Sequence, residues 1–433
     1  MKYTLGLILF SCFLGCIRPK APYASLAPGI WRGVLHLNTE PKLPLKDEIE
    51  RYEKDGTRPI YEIENDLPFM FEVKYEQETP YIEIINGTER IKVDEVYVGR
   101  NRSTADDTVY INFSVYDSHI RAILREGILQ GEWVVRNKPN YRIPFSAHFG
   151  QKDRFQLLPT PQTNELSGIW DCTFDLNLET PFKAIAEWSQ DGNHLTGTFR
   201  TETGDYRYLD GTVSGDKFFL SCFDGSHAFL FFGKQSGDTL LGTFKSGIHY
   251  TSVWKAFKNP DATLAAATSL TKSTGTPVNF AFLDQNAKTK TITDYHSKIK
   301  VLQIMGTWCP NCYDETRFLK TYLAAHSALD VQVIGLACER YNDTAKSLQA
   351  IANYRTKMNL PYDVLLAATT TKTAETSKHL PFIDNVISYP TMVILDKNNR
   401  VHTIHTGFDG PATSKYKEFE IEFDRVIQNL LKQ

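Results

Sequence analysis

The sequence predicts a multidomain chain: two tandem antiparallel β-rich modules, barrel- or sandwich-like, followed by an α/β domain. Three observations predict it. Up to residue 258, apolar and polar residues alternate at period two over many short runs, the pattern of half-buried strands. The same landmarks recur in the same order in the two halves of that stretch. From residue 277 the pattern switches to continuous apolar runs alternating with helix-like segments, and two cysteines sit at one strand-to-helix junction.

Residues 1–16 read as an export signal. Lys2 precedes an apolar stretch from Leu5 to Leu14, too short to span a bilayer. The stretch ends in Phe13-Leu14-Gly15-Cys16, which resembles a bacterial lipobox and implies cleavage before Cys16 and lipidation of that residue. Leu9-Phe10-Ser11-Cys12 is an overlapping second candidate, and an ordinary secretory signal is the alternative. Two or three acyl chains on Cys16 would give stable membrane anchoring where one would not.

The first β-rich module is expected over residues 25–152. Phe69-Met70-Phe71-Glu72-Val73-Lys74-Tyr75 and Val109-Tyr110-Ile111-Asn112-Phe113-Ser114-Val115-Tyr116 carry the alternation, and Asn86-Gly87 and Glu126-Gly127 mark turns. The second is expected over 163–258, with turns at Asp191-Gly192, Asp210-Gly211, Ser214-Gly215 and Ser236-Gly237. Gly29-Ile30-Trp31 opens the first and Gly168-Ile169-Trp170 the second. Phe113 to His119 then parallels Leu220 to His227, and Leu129-Gln130-Gly131-Glu132-Trp133 parallels Leu240-Leu241-Gly242-Thr243-Phe244. Shared order of this kind indicates copies of one unit. His119 and His227 occupy matching positions, where a histidine hydrogen-bonded within its own module is the expected reading. The tryptophans are expected to be core.

An Ala/Thr/Ser-rich segment makes residues 259–276 a linker, and the α/β domain is expected over 277–433. Asn279 to Leu283 and Lys290 to Ile292 form a leading hairpin. Val301 to Met305 and Val331 to Ala337 read as buried parallel strands. Tyr313 to Ala325 and Ser347 to Met358 read as helices. Thr391 to Leu395 and Arg400 to His405 make a second hairpin, and Phe419, Phe423, Val426 and Leu430 line one face of a last helix.

Composition narrows the function. The chain has 433 residues, enough to bury a core without disulfide staples. A net charge of −3 with mixed signs gives no support to nucleic-acid binding. The chemistry points to Trp308-Cys309-Pro310-Asn311-Cys312. A cysteine at a helix N-terminus meets unpaired N–H groups that stabilise a thiolate, the species that attacks disulfides. A second thiol beside it can complete the exchange. A zinc site would need two more ligands at suitable spacing, and none is evident, so no metal and no cofactor is expected. Cys338 is expected to be an inert buried thiol. Cys172 and Cys222 could pair or stand apart.

The last third resembles the thioredoxin superfamily, in particular the TlpA/ResA-like thiol–disulfide oxidoreductases. The residues that carry the resemblance are Gly306-Thr307-Trp308-Cys309-Pro310-Asn311-Cys312, Glu315, Ser388-Tyr389-Pro390-Thr391 and Gly407-Phe408-Asp409-Gly410-Pro411. The whole architecture looks similar to envelope lipoproteins of the Bacteroidetes type. The resemblance implies catalytic Cys309 and Cys312 joined in a redox disulfide, a cis bond before Pro390, and a substrate-binding surface of Trp308, Tyr389, Pro390 and Thr391. It further implies a lipid-anchored periplasmic enzyme that reduces disulfides of exported proteins with electrons from a membrane thiol donor. Residues alone leave the direction open. Gln303 stands where thioredoxins proper carry a buried aspartate. Glu315 is therefore read either as a replacement proton carrier or as an ordinary acid of the first helical turn. The chemistry also requires an accessible Cys309. The competing class is a binding or scaffold protein whose β modules recognise a protein or glycan.

Overall fold

The computed structural model describes residues 25–37, 63–157, 160–161 and 165–433. Cys12, Cys16 and the expected signal lie outside the described residues. Among the described residues, no helix is long and apolar enough to cross a membrane.

Two nine-stranded antiparallel sheets come first, running from Gly29–His36 to Arg142–Phe149 and from Gly168–Phe174 to Tyr250–Lys258. Both are meanders in which the first strand also pairs with the last, Trp31 opposite Phe149 and Trp170 opposite Lys258. The repetition extends to single atoms. Trp31 Nε1 donates to the Ala27 carbonyl at 2.9 Å, and Trp170 Nε1 donates to Leu166 at 2.9 Å. Gly29 and Gly168 two residues earlier have φ of +117° and +113°, a region that glycine enters at little cost.

The copies differ in closure. The second sheet closes because Phe182–Asp191 pairs with His194–Thr201, which also pairs with Leu209–Ser214. The first stays open between its edge strands Glu89–Val93 and Val96–Arg100. Its core is completed from the second barrel. The strand Lys217–Phe223 is buried on both faces: Phe218, Leu220 and Cys222 face their own core, while Phe219 and Phe223 enter the first. Phe223 sits among Phe69, Phe113 and Trp133, at ring distances of 4.4, 5.6 and 5.3 Å. Cys172 and Cys222 are buried free thiols, each the product of a core-facing strand position.

The third sheet contains seven strands: β1 (Ala281–Leu283), β2 (Thr289–Thr291), β3 (Ile299–Met305), β4 (Val331–Cys338), β5 (Asp363–Ala368), β6 (Thr391–Leu395) and β7 (Val401–Thr406). Their order is β2-β1-β5-β4-β3-β6-β7, with β3–β4 and β4–β5 parallel. Helices α1 (Pro310–Ala325), α2 (Thr344–Met358) and α3 (Tyr416–Leu431) share one apolar core with Val301, Val333 and Ile394. The alternate strand residues, such as Leu302, Ile334 and Val393, face Val278, Phe280, Leu380 and Phe382 on the other side. In α3 Phe419, Phe423, Ile427 and Leu430 are buried and Val426 packs half-buried against the same core, so Ile427 joins the expected stripe. The segment expected to be a linker is laid against this domain. Lys272 N donates to Asp384, Thr406 Oγ1 donates to Thr271, and Ser273 bridges to Ile383.

Candidate active site

The chain leaves β3 at Met305, turns, and enters α1 at Pro310, which makes Cys309 the residue that caps the helix. Proline suits the first helical position, where its missing N–H would have had no partner. The Cys309 sulfur accepts a hydrogen bond from Cys312 N at 3.3 Å, in the place a serine or aspartate oxygen usually fills. It also donates to the Tyr389 carbonyl oxygen at 3.6 Å. The Tyr389–Pro390 bond is cis. Sequence positions some 80 residues apart thus meet at one sulfur.

Cys309 and Cys312 are free thiols, 6% and 0% exposed. Burial, and then the neighbouring Cys309, push the Cys312 thiol well above its ordinary range. Cys309 is thus less open than exchange with a large surface would demand, but it is not sealed. It faces a cavity of about 580 Å³ walled by all three domains, including Lys138 and Tyr141 from the first barrel, His227 and His249 from the second, and Arg340 from the third.

Glu315 is fully buried, which removes the solvent-facing alternative. Burial pushes its carboxyl up to about 8. Gln303 is its nearest polar help, yet that amide is spent on Cys312 O at 3.2 Å and Thr316 Oγ1 at 3.1 Å, leaving both Glu315 oxygens without a hydrogen bond. An unpaired buried carboxyl prefers to be neutral.

The remaining predicted residues divide. Trp308 closes one side of the cavity: its Nε1 donates to Cys338 O at 2.9 Å, its ring meets Tyr389 edge-on at 5.6 Å, and the Arg340 guanidinium lies 4.1 Å above it. The Tyr389 hydroxyl is tied to Thr376 at 2.7 Å. The Pro390 carbonyl oxygen accepts from Gly407 N at 2.9 Å. Thr391 is buried in β6 with its hydroxyl donated to Ser388 O, so the structure does not bring its side chain to the cavity. Cys338 is buried and burial raises its thiol to about 12. His227 is paired with Asp224 of its own barrel at 3.2 Å, whereas His119 stacks on Tyr110 at 4.8 Å. Among the described residues no group of three or more His, Cys, Asp or Glu is placed to hold a metal.

Several residues around the site were not singled out by the sequence. Arg207 is 3% exposed and joins three bodies: Glu89 of the first barrel at 2.8 Å, Asp224 of its own barrel at 3.1 Å, and Asp314 of α1. Burial opposes its charge, but Asp314, Glu89 and Asp224 outweigh burial and raise its pKa. Asp205 accepts from Gly410 N and from Arg207 N at 2.6 Å each, and its carbonyl accepts from Asn311 at 3.3 Å. The second barrel therefore holds the dithiol turn through Asp205 and Arg207. Arg340 follows the C-terminal end of β4, the end of a parallel strand where sites gather, and that position was its available signal. Burial lowers its pKa, with the Cys309 charge acting the other way.

Residues 260–419 match the Redoxin family model. That match spans most of the C-terminal module. This module is similar to a thioredoxin-family thiol:disulfide interchange protein from Chlorobium tepidum TLS, at 20% identity, 37% of this chain, 97% of that one and a TM-score of 0.28. It is similar to a putative protein disulfide isomerase from Bacteroides thetaiotaomicron at 17% identity, covering 38% and 92% of the two chains, with a TM-score of 0.27. StoA from Bacillus subtilis matches at 15% identity over 34% of this chain and 97% of its own, with a TM-score of 0.25. No curated protein matches the chain.

Proposed function

We propose that the protein is a thiol–disulfide oxidoreductase whose dithiol works from inside a three-walled cleft. The observation that carries this reading is Cys309 capping α1, with its sulfur on Cys312 N and the Tyr389 carbonyl and a cavity in front of it. The Cys309 thiolate attacks one sulfur of a substrate disulfide. A Cys309–substrate S–S bond forms, the substrate's own S–S bond breaks, and the departing sulfur leaves as a thiolate that takes up a proton. Cys312 then gives up its proton and attacks the Cys309 sulfur. The second substrate thiolate leaves and the Cys309–Cys312 disulfide remains, two electrons having passed to the substrate. Glu315 is the group that exchanges the Cys312 proton, since it is buried beside the dithiol and ionises near neutral pH. Trp308 and Tyr389 bound the substrate position.

In the direction we propose, reduction, a membrane dithiol donor returns the electrons, and the clients are disulfides of exported proteins or smaller disulfides. The apolar Leu5–Leu14 segment and Cys16 support a lipid-anchored location in a bacterial envelope. The test is disulfide reduction by the full chain, wild type against Cys309→Ser, together with Cys312→Ser to trap the mixed disulfide. Loss of turnover in the first variant and an adduct on Cys309 in the second are expected. Equal turnover by wild type and Cys309→Ser would refute the reading and favour a binding role for the barrels.

A further inference from the structure

The cavity before the dithiol is lined by two cations, Lys138 and Arg340, that have no carboxylate partner among the described residues. Lys138 lies in the turn between strands Ile128–Val135 and Arg142–Phe149, with its ammonium 4.7 Å above the Tyr141 ring. Arg340 lies over Trp308. Among the described residues neither cation has a carboxylate in ion-pair reach. The nearby acids are already spent: Asp205 on Gly410 N and Arg207 N, Asp224 on Arg207 and His227, Glu339 on Thr307 N and Oγ1. Burial lowers the Lys138 ammonium to about 8, and Arg340 is the next cause. Lys138, Arg340 and His227 also act with burial to hold His249 at about 4. Like charges gathered in a half-enclosed space raise the energy of the empty site, and an anion entering it removes that cost.

We propose that the cavity before Cys309 is a cleft for disulfides that carry a carboxylate close to the scissile S–S bond, with Lys138 and Arg340 as the anion subsite. The substrate class rests on the thiol–disulfide reading above. The cavity volume of about 580 Å³ lies in the range of small-molecule sites, so it admits a small acidic disulfide or the tip of an acidic peptide. The carboxylate binds across the two cations, one from the first barrel and one from the redox module. That places a substrate sulfur against Cys309. The first barrel thereby selects substrate for a nucleophile it does not contain. Electron flow is that of the exchange already described, with the carboxylate unchanged throughout.

Two measurements on the full chain test this. The first needs no turnover: alkylation rates of Cys309 by iodoacetate and by iodoacetamide, located by mass spectrometry. The anion subsite predicts an iodoacetate-to-iodoacetamide ratio about tenfold above that of the urea-unfolded chain, falling with added salt and in Lys138→Gln/Arg340→Gln. A wild-type ratio equal to that of the unfolded chain overturns the proposal whether or not the variant folds. The second compares reduction of 3,3′-dithiodipropionate, bis(2-hydroxyethyl) disulfide and cystamine, each normalised to its rate with dithiothreitol. A disulfide-linked glutamate-containing peptide forms the fourth arm. Preference for dithiodipropionate supports the cleft, and a matching rate for the peptide assigns the subsite to peptide segments as well. Equal normalised rates, all abolished by Cys309→Ser, overturn the cleft and leave the oxidoreductase reading standing. No Cys309-dependent reduction of any probe overturns both.

Discussion

Glu315 shows how one residue's surroundings decide its chemistry. Its carboxyl titrates at about 8 when folded, against 4.5 for an exposed glutamate. Between those values the unfolded chain has lost the proton and the folded chain keeps it. The contribution of this residue to stability is therefore fully present below pH 4.5 and is lost as pH rises towards 8. Glu315→Gln removes the titration, and it is expected to be more stable than wild type by about 4 kcal/mol at pH 8 while converging near pH 4.5. Urea unfolding at both pH values checks this, and an equal difference at the two would refute it. The same variant, with Cys312 intact, is expected to slow resolution of the Cys309–substrate mixed disulfide by about ten- to a hundredfold at pH 8, as loss of a general base does. At this scale the sequence was legible where chemistry is local. Cys309, Cys312 and the helix that follows them are neighbours in the chain. Arg207, Lys138 and Arg340 were illegible because their meaning comes from partners, or missing partners, far away in sequence.

Among the elements, the strand Lys217–Phe223 decides how the barrels join. Its two faces feed two cores, and Phe223 packs into the first against Phe69, Phe113 and Trp133. Phe223→Ala is expected to cost about 3–5 kcal/mol in denaturant unfolding, the range for removing a buried aromatic ring. Phe257→Ala, at a 48% exposed position in the last strand, is expected to change stability by less than about 0.5 kcal/mol. Similar losses at both positions would show that Phe223 does not hold the junction. The alternating strands and the repeat were readable because period-two patterning is a local signal. The unbroken run Phe218-Phe219-Leu220 carried a further message, that neither face meets solvent. Nothing in the run says whose core the second face enters.

For the molecule as a whole, the cation of Arg207 is the common point of contact. Removing it in Arg207→Ala would leave Glu89 and Asp314 buried without their ion-pair partner and Asp224 with His227 alone. A loss of about 3–5 kcal/mol is expected, as when one member of a buried ion network is deleted. Parting of the domains should also open the cavity, raising the iodoacetamide rate at Cys309 several-fold under native conditions. Unchanged alkylation together with a stability loss under about 1 kcal/mol would mean that the interface is held by other contacts. The order of modules could be read from composition shifts along the chain. Their packing could not, because no local pattern encodes which surfaces meet.

The sulfur and its surroundings also differ in when they are made. Lys138 and Tyr141 leave the ribosome well before Cys309, and Tyr389 well after it. An unfinished chain therefore holds only the barrel walls of the recess and nothing to react, and an excised C-terminal piece would hold the thiol without those walls. On the proposed reading, selective exchange would begin only when the last-made third has settled against the first-made barrels, so that assembly itself acts as the on-switch.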